Sequence, residues 1–158
     1  MVKTAELLFI SLILSAVLAY GHAPAVFATD EPSYVGSQTC GECHLDQFES
    51  FTKKSKKSKS YSSVKKMAAK LTPEELKGCY GCHTTGYGKP GGFCSEQETP
   101  ELKNNGCEVC HGPGSLHAAS EDPEDLNTTI DVEDCMTCHN SERVAAFNFK
   151  PLLYGGAH

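Results

Sequence analysis

Four times in this chain two cysteines stand three residues apart with a histidine directly after the second: "CGECH" (Cys40, Cys43, His44), "CYGCH" (Cys79, Cys82, His83), "CEVCH" (Cys107, Cys110, His111) and "CMTCH" (Cys135, Cys138, His139). Eight of the nine cysteines fall in this pattern, which leaves only Cys94 outside it. On a helical turn, positions i, i+3 and i+4 share one face. Each copy therefore offers two sulfurs and one imidazole to the same object. This is the attachment sequence of c-type haem, in which two thioether bonds fix the porphyrin edge and the imidazole reaches the iron. The cofactor expected is four covalently attached haem c groups.

Three other uses of cysteine compete with that reading. Nine cysteines in a chain of 158 residues would suit a disulfide scaffold, but random pairing gives no reason for a histidine after every second cysteine. Paired zinc ligands or redox dithiols leave the same histidines unexplained. Seven histidines in the whole chain would rarely fall behind all four pairs by chance.

Residues 1–28 carry an early cation, Lys3, an apolar run from Leu7 to Tyr20, and small residues at Ala23, Ala25 and Ala28. They read as an export signal cut at Ala28. The run is short of the roughly 20 residues that cross a bilayer, so no membrane span is expected after cleavage. The expected division is a signal peptide at 1–28 and a tetrahaem cytochrome c domain at 29–158, placed in the periplasm or outside the cell. Thioether attachment takes place outside the cytoplasm, which agrees with export.

The motifs start at 40, 79, 107 and 135, so 28 to 39 residues accompany each haem. That is too little protein to build a separate core around each one. The fold class expected is mainly α with extensive loops, a small multihaem cytochrome c fold packed around its four haems. "TTGYGKPGGF" and "HGPGS" read as loops, and no alternating apolar run is long enough for a sheet. Tyr61, Val64, Met67, Ala68 and Leu71 recur at helical spacing, with Met67 on the stripe that should face the core. "TPEE" from Thr72 supplies an N-cap, a proline at the first helical position and an acidic third residue, which starts a helix leading into Cys79. Asp131 should cap a helix carrying the fourth motif.

An iron used only for electron transfer has two strong axial ligands. Outside the motifs the histidines are His22, lost with the signal, and His117 and His158. Two histidines do not saturate four irons. For His117 to face the haem held by His111, six residues broken by Gly112, Pro113 and Gly114 would have to pass right around the porphyrin. It reads instead as the distal ligand of a neighbouring haem, with an exposed loop histidine as the plainer alternative. His158, the last residue, is either unused or a ligand reaching another subunit. Met67 could ligate through its thioether, although core packing is its ordinary role. Lys57, in "KKSKKSKS", reads as part of a solvated basic face, since a lysine ligand must first lose its proton. Cys94 is expected to be buried or in an intermolecular disulfide.

Taken together, "YVGSQTCGECH", "GCHTTGYG", "GGF" and "GCEVCHGPGSLH" resemble the tetrahaem cytochrome c-554 family of exported electron carriers, over Tyr34 to His117. The resemblance implies a mostly helical fold around four closely packed haems, with His44, His83, His111 and His139 as proximal ligands. It also matches His117 to a distal histidine that follows Gly-Pro-Gly-Ser in the family. The chain departs where the family often has Ser-Lys-His and it reads Ser55, Lys56, Lys57. Family members with one five-coordinate haem, and small multihaem cytochromes that lend a ligand to the next subunit, are two ways of living with too few histidines.

The function that these features favour is an electron carrier, rather than an enzyme, passing electrons between redox proteins. Eight of the 14 Lys and Arg lie between Lys53 and Lys70, and Glu121 to Asp134 holds seven carboxylates and no cation. The basic stretch would steer an acidic partner into place. The net charge of −6 argues against nucleic acid. Two alternatives keep the same cofactor. One is a haem enzyme acting on a small nitrogen compound at an open iron; the other is a subunit of an extracellular filament assembled through a ligand such as His158.

Overall fold

The computed structural model describes residues 31–140. The expected export signal at 1–28, His22 and His158 lie outside the described residues. In chain order the helices are α1 (Ser37–Cys43), α2 (Leu45–Lys54), α3 (Tyr61–Ala68), α4 (Pro73–His83), α5 (Glu108–His111), α6 (Ser115–Ser120) and α7 (Val132–Met136). Tight 3-10 turns at Lys56–Lys59, Pro100–Leu102 and Pro123–Asp125 link them. Among the described residues there is no strand, as the lack of alternation predicts.

Local chemistry explains where the helices start. The Thr72 hydroxyl accepts from Glu75 N while Glu75 Oε2 accepts from Thr72 N at 2.9 Å, a reciprocal cap with Pro73 at the first helical position. Those hydrogen bonds from Thr72 hold the Glu75 carboxyl below the usual carboxylate range. Asp131 does the same for α7, its Oδ1 accepting from Glu133 N at 3.0 Å and Asp134 N at 3.2 Å. In α2 the charges run with the helix dipole, Asp46 in the first turn and Lys53 and Lys54 in the last.

The protein core is small. Phe51, Val64, Phe93 and Leu102 are the buried hydrophobic side chains, outnumbered by buried Ser55, Thr84, Thr85, Asn105 and Glu108. Helices α1, α4, α6 and α7 bury no residue at all. Met67 is 47% exposed, so the apolar stripe of α3 delivers Val64 to the core but not Met67. Cys94 is also exposed, which removes the buried alternative for it.

What replaces a large apolar core is a hydrogen-bonded loop between α4 and α5. Thr85 N donates to Leu102 O and Phe93 N to Thr85 O, both at 2.9 Å, while the Thr85 hydroxyl donates to Asn104 O and accepts from Gly106 N. The Tyr80 ring in α4 sits 5.2 Å from both Tyr87 and Phe93, and Tyr61 in α3 lies 5.7 Å from Phe93. The loop crosses itself so closely that a Cβ on Gly92 would stand 1.8 Å from Gly86 O. Gly92→Ala is therefore expected to cost about 2–3 kcal/mol through forced backbone displacement, read as a fall in thermal midpoint; an unchanged midpoint would contradict this crossing.

Candidate functional site

Each motif forms a tight turn that brings its groups together. His44 N donates to Cys40 O at 2.9 Å, His111 N to Cys107 O at 3.1 Å and His139 N to Cys135 O at 2.9 Å. The second motif closes the C-terminal end of α4. Four different helices or their ends thus carry the four motifs: α1, α4, α5 and α7.

Three imidazoles have one nitrogen tied to a backbone carbonyl. His83 Nδ1–H donates to Ser60 O at 3.1 Å, His111 Nδ1–H to Asn127 O at 2.8 Å and His117 Nδ1–H to Asp122 O at 2.9 Å. A carbonyl only accepts, so the proton sits on Nδ1 and the lone pair on Nε2 faces away, the usual arrangement of a metal-ligating histidine. Ser60 is a hub for the second motif: its hydroxyl donates to His83 O at 2.8 Å and accepts from Asn105 N at 2.9 Å. Asn105 Nδ2 in turn donates to Cys82 O at 2.8 Å.

The rings of His44 and His117 face each other with centroids 6.1 Å apart and planes within 22°. Two imidazole nitrogens, each about 2 Å from one shared metal ion, set their ring centroids roughly 6 Å apart. At that spacing His44 and His117 would be able to hold one iron at the first motif between them, a spacing that an ordinary ring pair also has. The scarcity of buried apolar residues, and four motif-bearing helices with almost nothing buried against protein, fit large apolar groups completing the core.

Glu108, inside the third motif, holds this arrangement together. It is 3% exposed. Its Oε1 accepts from Val35 N at 2.9 Å and Gly114 N at 2.8 Å, and its Oε2 from Gly36 N at 2.8 Å. One carboxylate thus ties the approach to α1, which ends at His44, to the turn that starts α6, which carries His117. Ser37 Oγ adds a bond from Cys107 N at 3.0 Å. The Cys107 thiol is lowered to about 6 by a hydrogen bond from Cys40, and Cys40 is pushed up by the same bond and by burial. Before attachment, the first cysteines of the first and third motifs therefore lie close enough to influence each other's thiols.

Lys57 is a cation whose charge is felt at the third and fourth motifs. Burial raises the Cys110 and Cys135 thiols and the Lys57 charge opposes it; burial and then Lys57 lower His139. Among the described residues no cluster of three or more His, Cys, Asp or Glu side chains is arranged to hold a bare metal ion, and no helix is long and apolar enough to cross a membrane.

The family model described as cytochrome c554 and c-prime matches residues 39–112. Residues 39–112 belong to the cytochrome c-554 family. Cytochrome c-554 of Nitrosomonas europaea is 39% identical over 98 residues, which cover 55% of this chain and 41% of that protein. The match thus spans less than half the length of that relative. No solved structure matches the chain. The match of residues 39–112 to a cytochrome c family implies covalently bound haem c. The matched stretch contains the first three motifs and stops one residue after His111, so the fourth motif and His117 stand on the residues and geometry described above.

Sequence reasoning singled out the motif residues and His117 but missed Glu108, Ser60 and the carbonyl of Asn127. Between two cysteines of an attachment motif, Glu108 carries no signal of a buried role, because its partners lie 72 and 73 residues away in the sequence and only six in the other direction.

Proposed function

We propose that this chain is an exported tetrahaem cytochrome c that carries electrons between redox proteins. Support comes first from the His44–His117 pair, two near-parallel imidazoles at the spacing of opposite ligands beside an attachment motif. The haem groups, at Cys40/Cys43, Cys79/Cys82, Cys107/Cys110 and Cys135/Cys138, supply reversible one-electron chemistry at iron. The chain's own residues position and insulate them. His44, His83, His111 and His139 would hold the irons, and His117 would supply the second ligand at the first motif, which would keep substrates out and rearrangement on reduction small.

Partner recognition falls to the lysine-rich stretch. Lys53, Lys54, Lys56, Lys59, Lys65, Lys66 and Lys70 are exposed on α2, the following turn, α3 and the residues just after it. Such a face raises the encounter rate with an acidic redox protein, and the effect should weaken as salt rises. The histidine shortage favours a second reading for part of the molecule, an iron left open to a small nitrogen compound. A filament linked through His158 is the third reading.

The direct test is the intact mass of the protein from a host that matures c-type cytochromes, with free thiols counted by alkylation. Four haem groups above the chain mass, with Cys94 the single alkylated cysteine, are expected. A mass short by one haem with Cys135 and Cys138 alkylated would remove the fourth site.

A further inference from the structure

Glu108 is the charged side chain that this fold buries; the other buried polar residues among those described, Ser55, Thr84, Thr85 and Asn105, are neutral. Its oxygens are satisfied by the N–H groups of Val35, Gly36 and Gly114, which bring no net charge. The ion pairs of the described residues join Glu49 to Lys53 and Glu96 to Lys65 and Lys103, and none includes Glu108. A carboxylate taken out of water without a cation is costly. Clasping three amides accounts for the acceptor oxygens and not for the charge. The place of that charge is specific. Glu108 stands between Cys107 and Cys110 of the third motif, and Val35 and Gly36 lead directly into α1, which carries Cys40 and Cys43. Cys107 N donates to Ser37 Oγ at 3.0 Å, and the Cys40 thiol lies 3.8 Å from Gly36 O. The negative charge is therefore enclosed where the first and third motifs meet, and none of its hydrogen bonds goes to the second or fourth.

We infer that Glu108 is the counter-charge of the oxidised first and third haems and lowers their reduction potentials. This rests on the four-haem reading and deepens it. The centre of a ferric haem carries one net positive charge, iron(III) against the porphyrin dianion, and the ferrous centre carries none. A buried carboxylate attracts the first and not the second, and a low-dielectric interior strengthens that difference. On reduction one electron arrives from a redox protein and iron(III) becomes iron(II), while the bonds and protons of Glu108 stay as they are; the carboxylate loses only its electrostatic partner. The first and third haems therefore hold the electron less tightly than their ligands alone would dictate, which favours passing it on. The exposed lysines do not have this effect to the same degree, because salt screens surface charges far more than buried ones.

The test is a spectroelectrochemical titration of the mature holoprotein with all four haems counted by mass, so that a missing haem is recognised as failure of the four-haem reading and not of this one. Three-haem variants lacking the cysteines of one motif assign each midpoint potential to its haem. Glu108→Gln removes the charge and keeps the shape. It is expected to raise the midpoints of the first and third haems, so that at each wild-type midpoint the ratio of ferrous to ferric haem rises roughly tenfold, with smaller shifts at the second and fourth. An unchanged midpoint at the first or the third haem overturns the inference, as does a larger rise at the second or fourth. Glu108→Asp and Glu108→Ala separate the charge from the clasp, since both break the set of three hydrogen bonds and only alanine removes the charge. Higher first and third midpoints are expected for alanine than for aspartate; equal midpoints would mean that the clasp sets them, and overturn the inference. Should the alanine variant fail to fold, the comparison of glutamine with aspartate decides in the same way.

Discussion

Replacing Glu108 with alanine should cost the protein at least about 3 kcal/mol and disconnect His117 from the first haem. The carboxylate is the hydrogen-bond acceptor for Val35 N, Gly36 N and Gly114 N, and it is almost wholly buried. Alanine leaves three backbone donors in a place with little water. Each unsatisfied buried donor costs about 1–3 kcal/mol, against a total stability on the order of 5–15 kcal/mol for a domain. Glu108→Gln tests the electrostatic part with the shape kept. Its single amide oxygen satisfies one side of the site, and its NH2 meets an N–H on the other, so an intermediate loss is expected. Thermal unfolding followed by circular dichroism is the measurement: a midpoint lower by roughly 10 °C or more for the alanine variant is the expected result. A shift of a degree or two would show that the N-terminal approach to α1 and the Gly112–Gly114 turn are held by something else.

The same residue shows where reading from sequence stops. The four attachment motifs, the caps at Thr72 and Asp131 and the absence of strands among the described residues are legible because each depends on residues within a few positions of one another. Glu108 is not, because a glutamate between two motif cysteines looks like any solvated side chain until folding brings a segment 72 residues earlier against it. Met67 misleads for a related reason: helical spacing puts it on the apolar side of α3, but the core supplied by protein atoms is too small to cover that side as far as Met67. With so few apolar side chains buried, periodicity reports which face is apolar and not whether another side chain lies over it. The departure at Lys57 from the histidine that the family often carries is legible in the sequence, but that Lys57 is half-buried while Lys53, Lys54, Lys56 and Lys59 are exposed is not.

His117→Ala is expected to convert about a quarter of the haem iron from low-spin to high-spin while all four haems stay attached. Attachment depends on the cysteines, and the proximal bond on His44, so neither needs His117. The distal side does need it. Its ring stands 6.1 Å from that of His44 with nearly the same plane, and its Nδ1 proton is committed to Asp122 O at 2.9 Å, so Nε2 is the nitrogen left to bind. The loop that follows α6 performs that commitment: Asp122 N donates to Ser120 Oγ, and Asp122 Oδ1 accepts from Glu124 N, which fixes the carbonyl that orients the ring. Disordering that loop should therefore weaken the same bond without touching the histidine. Electron paramagnetic resonance of the oxidised protein reads the spin state, and cyanide binding reads access to the freed position; one new cyanide site per molecule is expected. If the His117→Ala spectrum matches the wild type, the ring pair is a packing contact and the first iron has another partner.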